Sequence, residues 1–368
     1  MIYLDNGATS YPKPERVIRA VTRAMYNCAS AGRGGYPLAE NAAKVLYRCR
    51  EAAGKLFCCK PEQVVLTNSC THGLNIAICS LVEPGDKVVI SGFEHNAVVR
   101  PLHARNAQIA VVGRRLFDWE DTLQDFESKL DGAKAAVFTH VSNVFGYILP
   151  IEAMAQMCRS RGIPFIIDAA QSAGMLEVNM ESLGADFIAM PGHKGLLGPQ
   201  GTGLLLCKAS AQPILFGGTG SASIPRTMPE ELPERLEAGT MNVPGFAGLA
   251  AGINYINRMG TEKCFSQAHG QMARCAAVLA DLGMDVYRGE HQAATVSFRA
   301  GLDCEEAAHL LAQQGIAVRA GFHCAPLAHE SAGTLETGTI RVSFGHNTKF
   351  SQTETFLRCA TKFPPFTP

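Results

Sequence analysis

The stretch DFIAMPGHKGLLGPQGTGLLLC, residues 186–207, sets two apolar runs around a glycine-rich turn that opens with a histidine and a lysine. Each run, DFIAM (186–190) and GLLLC (203–207), is short, apolar and without polar alternation, which predicts strands buried on both faces. Lys194 therefore stands where a buried strand gives way to small residues, and a long charged side chain has no packing reason to be there. A phosphate-binding loop of the G-x-x-x-x-G-K-[ST] type is excluded, because its lysine follows the glycines and this one precedes them. Two readings stay open. One is a solvated surface lysine. The other is a Schiff-base lysine, which needs desolvation and small neighbours so that a flat cofactor can approach.

The same kind of run recurs upstream. QVVLT (63–67), KVVIS (87–91), AAVFTHV (135–141) and PFIIDA (164–169) alternate with helical patterns such as EAMAQMCRSRG (152–162), which stops on glycine. That rhythm predicts an α/β fold with a mostly parallel sheet covered by helices. The segment 208–250 breaks it with glycine, proline and serine, and is too long for a plain connection, so it reads as functional or as part of an interface. After it, AATVSFRA (293–300), EEAAHLLAQQGIAVRAG (305–321) and TIRVSFG (339–345) read as a smaller α+β unit. A helix over 14–27, started by Pro14, is expected to pack on that unit. The division predicted is a large domain over 15–250 and a small α+β domain made of 1–14 and 251–368.

Composition narrows the partners. The chain has 368 residues, is 47% hydrophobic and carries 33 basic and 33 acidic residues. A balanced charge gives no basic face for nucleic acid or an anionic membrane. No apolar run reaches the roughly 20 residues a membrane helix needs. Thirteen scattered cysteines without C-x-x-C pairing suit buried thiols in a reducing compartment, and the opening MIYLDNGATS lacks the apolar core of a signal peptide. A cytoplasmic location is expected.

In an open α/β sheet, ligands bind beyond the carboxyl ends of the strands. Here those ends deliver NSCTHGLN (68–75), GFEHNAV (92–98), SNVFG (142–146), Asp168 with AAQSAG, and PGHKG (191–195). Pyridoxal phosphate (PLP) asks for such a set. Asp168 can pair with the ring nitrogen, though it also reads as a cap for AAQSAG. Asn68 to Thr71 open a helix that can receive a phosphate, or they form an ordinary capping turn. His95 can stack on the ring, or it is a structural histidine at a strand end.

Taken in order, YLDNGATSYPKP, TNSCTHGLN, EHNAVVRP, SNVFGYILPI, IIDAAQSAG, GHKGLLGPQGTGLL, LEAGTMNVPG, VRAGFHCAPL and IRVSFGHNT resemble class V aminotransferase-like enzymes of PLP fold-type I. They are most similar to the cysteine desulfurase and selenocysteine lyase group, and the likeness runs from residue 3 to about 347. It implies that Lys194 holds the cofactor and moves the substrate Cα proton. It implies further that Asp168 holds the ring nitrogen, Gln171 the ring hydroxyl, and His95 the ring face. Thr71, the backbone at Cys70 and His193 would bind phosphate, with Thr240 reaching the phosphate of the other subunit in a homodimer with shared active sites. Asn143 would lie beside the cofactor, and with Arg341 it would hold the substrate carboxylate, a role for which a guanidinium fork is suited.

Cys324, by the same resemblance, attacks the substrate sulfur. Gly321 and Pro326 mark a loop around it, and Arg319 and His323 make its surroundings electropositive. Metal binding by His323, Cys324 and His329 is set aside for poor ligand spacing, so no metal site is expected. The implied activity is a cysteine desulfurase that converts L-cysteine to L-alanine and leaves a persulfide on Cys324 for a sulfur-acceptor protein. Selenocysteine lyase action on L-selenocysteine, an aminotransferase of the same fold, and a silent PLP-fold binding subunit are the alternatives. Pro191 stands where many relatives carry a phosphate-binding hydroxyl, and His72 where they often carry an acid; both bear on phosphate grip and substrate preference.

Overall fold

The computed structural model describes residues 1–32, 34–208, 210–220 and 224–367. Of the irregular 208–250 segment, residues 209 and 221–223 lie outside that description, as do residues 33 and 368. Seven strands form the large sheet, in the spatial order Val64–Thr67, Gly203–Cys207, Phe187–Pro191, Phe165–Asp168, Ala135–Thr139, Lys87–Ser91 and Gln108–Val112. All run parallel except Gly203–Cys207, which is antiparallel to both neighbours. Its direction follows from its connection. The turn that carries Lys194 is too short for a crossover helix, so the chain returns beside the strand it has just left.

Successive residues of these strands bury on opposite faces. Val89, Phe138, Ile167, Ile188 and Leu204 join one apolar cluster, while Val88, Val137, Ile166, Ala189 and Leu205 join another. Both faces are thus dry, which is why the strands read as unbroken apolar runs. The helix Cys70–Leu81 lies close on the second face, where a Cβ on Gly73 would come within 3.3 Å of the Ala189 Cβ. Ser69 caps its start by accepting from the His72 N–H at 3.1 Å. This seats the helix N-terminus at the carboxyl rim.

A second sheet is antiparallel, in the order Arg319–Gly321, Thr339–Ser343, Thr295–Arg299 and Asp285–Tyr287. Val296, Phe298, Ile340 and Val342 pack there against the helices Thr261–Asp281 and Phe350–Ala360. The N-terminus joins this part of the molecule. Ile2–Tyr3 pairs in parallel with Ile316–Ala317, and Asp5 bridges to Ser343. The helix Glu15–Asn27, expected on the same unit, instead packs mainly along Val243–Met259. Its apolar face meets another helix there, so the chain crosses between the two sheets within its first residues. Among the described residues no helix is long and apolar enough to cross a membrane.

Candidate active site

The parallel strands end on one side of the large sheet, and the polar groups that follow them converge there. Lys194 comes just after Phe187–Pro191 and is fixed through the carbonyl of His193. That oxygen accepts from Ser10 N at 3.0 Å, Ser10 Oγ at 3.1 Å, Thr9 Oγ1 at 3.0 Å and Lys13 Nζ at 2.7 Å. Behind the lysine, a Cβ on Gly195 would stand 2.3 Å from the Ala173 carbonyl, so only glycine fits. Part of the Lys194 side chain opens to a cavity it shares with Asn6, Ser10 and Gln171. The surrounding protein nevertheless holds its amine below the usual lysine range, burial outweighing the pull of Asp168. A buried amine whose pKa is held down gives up its proton more readily than an ordinary lysine, as a nucleophile or a base must.

Asp168, buried at the end of its strand, accepts at Oδ1 from Ala170 N at 2.8 Å and from the Cys70 thiol at 3.3 Å. Both bonds fall on one oxygen. Thr71 is exposed at the first turn of its helix, and among the described residues the N–H groups of Cys70 and Thr71 meet no protein acceptor. His95 caps the helix Asn96–Ala104 through Nδ1, which accepts from Ala97 N at 3.0 Å, and burial holds the ring below the ordinary histidine range. Gln171 Nε2 donates to the Gly7 carbonyl at 3.1 Å. Buried polar atoms without a partner cluster in this neighbourhood, among them His193 Nδ1 and Asn6 Oδ1. Burial, reinforced by the charges of Lys194 and Lys13, lowers His193 to about 4, so its imidazole is neutral. A carboxylate, free helix-end N–H groups, a reactive amine and unpaired polar atoms together fit a flat, phosphorylated cofactor. Thr240 is not among them within one chain. It lines a separate cavity of about 450 Å³ with Arg50 and Glu237, which form a buried ion pair.

The thiol side is built differently. Cys324 is exposed, in the turn between Arg319–Gly321 and the helix Pro326–Ser331. His323 and Cys324 both take left-handed backbone angles, φ 52° and 58°, which cost free energy for residues with a Cβ. Two bonds hold the turn down: Asn143 Nδ2 donates to the His323 carbonyl at 2.7 Å, and Asn96 N to the Cys324 carbonyl at 2.8 Å. The His323 ring is buried and stacks on His329 at 5.7 Å between centroids. Burial and the charge of Arg341 push it down to about 2. Arg319 Nη2 reaches the Cys324 sulfur at 3.7 Å. Arg341, 1% exposed, donates from Nη1 to the Asn143 carbonyl at 2.9 Å and from Nη2 to Asp5 Oδ1 at 2.5 Å.

Sequence reasoning assigned no role to Asp5, Lys13 or Glu94. The first two lie in YLDNGATSYPKP and are its only charged residues, which was the available signal. Glu94 is fully buried beside His95 and accepts at Oε1 from Ser91 Oγ at 2.5 Å and Thr139 N at 2.8 Å. Nothing in EHNAVVRP marks it as buried.

A parallel sheet whose rim carries a buried lysine, a carboxylate one strand away and an open helix N-terminus is the architecture of PLP fold-type I. The class V aminotransferase family model matches residues 2–356, and the chain belongs to that family, which is PLP-dependent. A probable cysteine desulfurase of Methanothermobacter thermautotrophicus is 33% identical over 93% of this chain and 89% of its own length. Among solved structures, the apo cysteine desulfurase of Thermococcus onnurineus NA1 superposes with a TM-score of 0.90 at 33% identity, over 98% of this chain and 94% of that one. The cysteine desulfurase CsdA of Escherichia coli gives 0.86 at 26% identity, over 97% and 93%.

Proposed function

We propose that this chain is a PLP-dependent cysteine desulfurase. The observation that supports it best is an exposed thiol, Cys324, tied through Asn143 to a buried guanidinium, Arg341, near the amine of Lys194. Lys194 would hold the cofactor, Asp168 its ring nitrogen, Gln171 its ring hydroxyl, and His95 its ring face. Thr71, the Cys70 N–H and His193 would take the phosphate, together with Thr240 of the partner subunit in a homodimer. When bound, PLP supplies an electron sink that stabilises negative charge at the substrate Cα.

The chain's own residues do the rest. Arg341 and Asn143 receive the α-carboxylate of L-cysteine and orient its Cα–H bond toward Lys194. The Lys194 amine, kept below its usual range by burial, takes that proton. Cys324 attacks the substrate sulfur: an S–S bond forms, the C–S bond breaks, and its electron pair stays on carbon, where a proton completes L-alanine. One thiol and one L-cysteine thus become one Cys324 persulfide and one L-alanine, with no outside oxidant. Arg319 places a positive charge beside the reacting sulfur. The exposure of Cys324 suits onward transfer to an acceptor protein, and we place the enzyme in the cytoplasm. The residues 15–250 would form the cofactor domain, and 1–14 with 251–368 the smaller domain that carries the thiol.

The test mixes the PLP-loaded enzyme with L-cysteine and follows alanine and protein-bound persulfide. Equal early yields of both are expected. A keto acid in place of alanine would make the protein an aminotransferase, and no product with no cofactor absorbance would make it a silent binding subunit.

A further inference from the structure

Arg341 is expected to receive a substrate carboxylate, yet it already holds one. The register of the N-terminal segment brings this about. Asp5 bridges to Ser343, and Arg341 lies two residues earlier on the same face of that strand, so the two side chains meet across a sequence gap of 336 residues. Gly7 presses on the guanidinium from the same segment, where a Cβ would come within 3.2 Å of Cζ. The Gly7 N–H is anchored on Ser343 Oγ at 2.7 Å.

The pair is incomplete in one respect. Asp5 spends a single oxygen on Nη2, while the adjacent Nε–H of Arg341 is buried and has no acceptor. A carboxylate that engaged Nε and Nη2 together would satisfy both donors as a fork, which is the stronger arrangement. The Asp5 side chain is 18% exposed against 1% for Arg341, so Asp5 is the more accessible member of the pair. Its backbone is held independently, with the Tyr3 hydroxyl donating to its carbonyl at 3.0 Å. The carboxylate can therefore leave Arg341 while the segment stays in place.

We propose that Asp5 is a stand-in carboxylate: it occupies Arg341 in the free enzyme and is displaced by the forked α-carboxylate of the amino-acid substrate. It is a specificity-determining residue, and the inference rests on the reading that Arg341 receives that carboxylate. Two consequences follow. The buried guanidinium is never bare, so a small anion must outcompete a tethered carboxylate to reach it. The same competition subtracts from substrate affinity, so only a ligand able to make the complete fork binds well.

The experiment compares the PLP-loaded wild type with Asp5→Asn and Arg341→Lys, using acetate as the probe in isothermal titration calorimetry. Kinetics with L-cysteine and with L-cysteine methyl ester run in parallel. Asp5→Asn keeps the shape and one acceptor but removes the charge, so acetate should bind about tenfold more tightly, on the scale of one charge-assisted hydrogen bond. KM for L-cysteine should fall in step, kcat should move less than KM, and the ester, which has no carboxylate, should not respond. Unchanged or weaker acetate binding in Asp5→Asn, or an equal shift for the ester, overturns the proposal. If Asp5→Asn does not fold, Asp5→Ser carries the same expectation and the same refutation. Arg341→Lys separates the two layers. If it leaves acetate and L-cysteine as in the wild type, the carboxylate reading of Arg341 has failed. If it weakens both while Asp5→Asn changes nothing, only the role of Asp5 has.

Discussion

Lys194 and Cys324 are the two side chains proposed to react, and the protein holds them in opposite ways. Lys194 is set by the sheet. Its strand is flanked on both sides, the carbonyl before it takes donors from Thr9, Ser10 and Lys13, and glycine packing behind it leaves no slack. Cys324 is set by a turn. It is exposed, it follows one left-handed residue and is itself another, and two hydrogen bonds keep it down. The contrast matches the two tasks. Proton transfer at a bound cofactor rewards fixed geometry, since small misplacements are costly. A sulfur that attacks one molecule and then hands its cargo to another must be reachable from outside.

The largest effect should come from the fixed side. Lys194→Ala should abolish alanine formation from both L-cysteine and L-selenocysteine, by about 10³-fold or more, because the proposed cofactor tether and base would be lost together. Residual turnover at a tenth of wild type would break the comparison at its root. The exposed side predicts a split instead. Cys324→Ala should lose turnover on L-cysteine by about 10²-fold. It should keep most turnover on L-selenocysteine, whose selenol leaves more readily. Equal losses on both substrates would make the thiol a structural part of the site.

A smaller effect tests the clamp itself. Asn143→Ala removes the side-chain donor to the His323 carbonyl, and the strained turn should then open more often. Alkylation of Cys324 by iodoacetamide, followed by peptide mass spectrometry, should speed up by about fivefold, near the worth of one hydrogen bond. The second exposed cysteine, Cys58, should keep its rate and serves as the internal control. A Cys324 rate that does not change would mean that the remaining bonds of the turn, that from Asn96 N among them, are enough to hold it.

The two sides also differed in how far they could be read from sequence. The six strands 63–67 to 203–207 stand out because both of their faces are dry, and the groups at their ends are local to each motif. The edge strand Gln108–Val112 was missed: it begins on an exposed glutamine and has only partly buried residues over most of its length. The helix Glu15–Asn27 was assigned to the wrong neighbour because amphipathic periodicity tells that a face is buried, not what buries it. Contacts such as Asp5 with Arg341, or Asn143 with His323, join residues 336 and 180 apart, and no local pattern encodes them. The thiol side consists largely of such contacts.

The smallest effect expected concerns Glu94, on the fixed side, and it is a pH dependence. Burial raises its carboxyl from the ordinary 4.5 to about 8, against the opposing bonds from Ser91 and Thr139 and with some help from the charge of Asp168. Between those two values the folded protein keeps a proton that the unfolded chain has released. The stabilisation is complete below the ordinary glutamate range and is lost as pH rises toward 8, at up to about 1.4 kcal/mol for each pH unit. Glu94→Gln copies the protonated shape, keeps an oxygen for Ser91 Oγ and Thr139 N, and cannot titrate. The wild type should therefore lose about 5 °C more in Tm than Glu94→Gln between pH 5 and pH 8, the other titrating groups cancelling in the difference. Parallel losses would mean that this carboxyl is already ionised in the folded protein. The rigid rim beside His95 would then contain a buried anion, and its geometry would have to tolerate charge repulsion from Asp168 rather than avoid it.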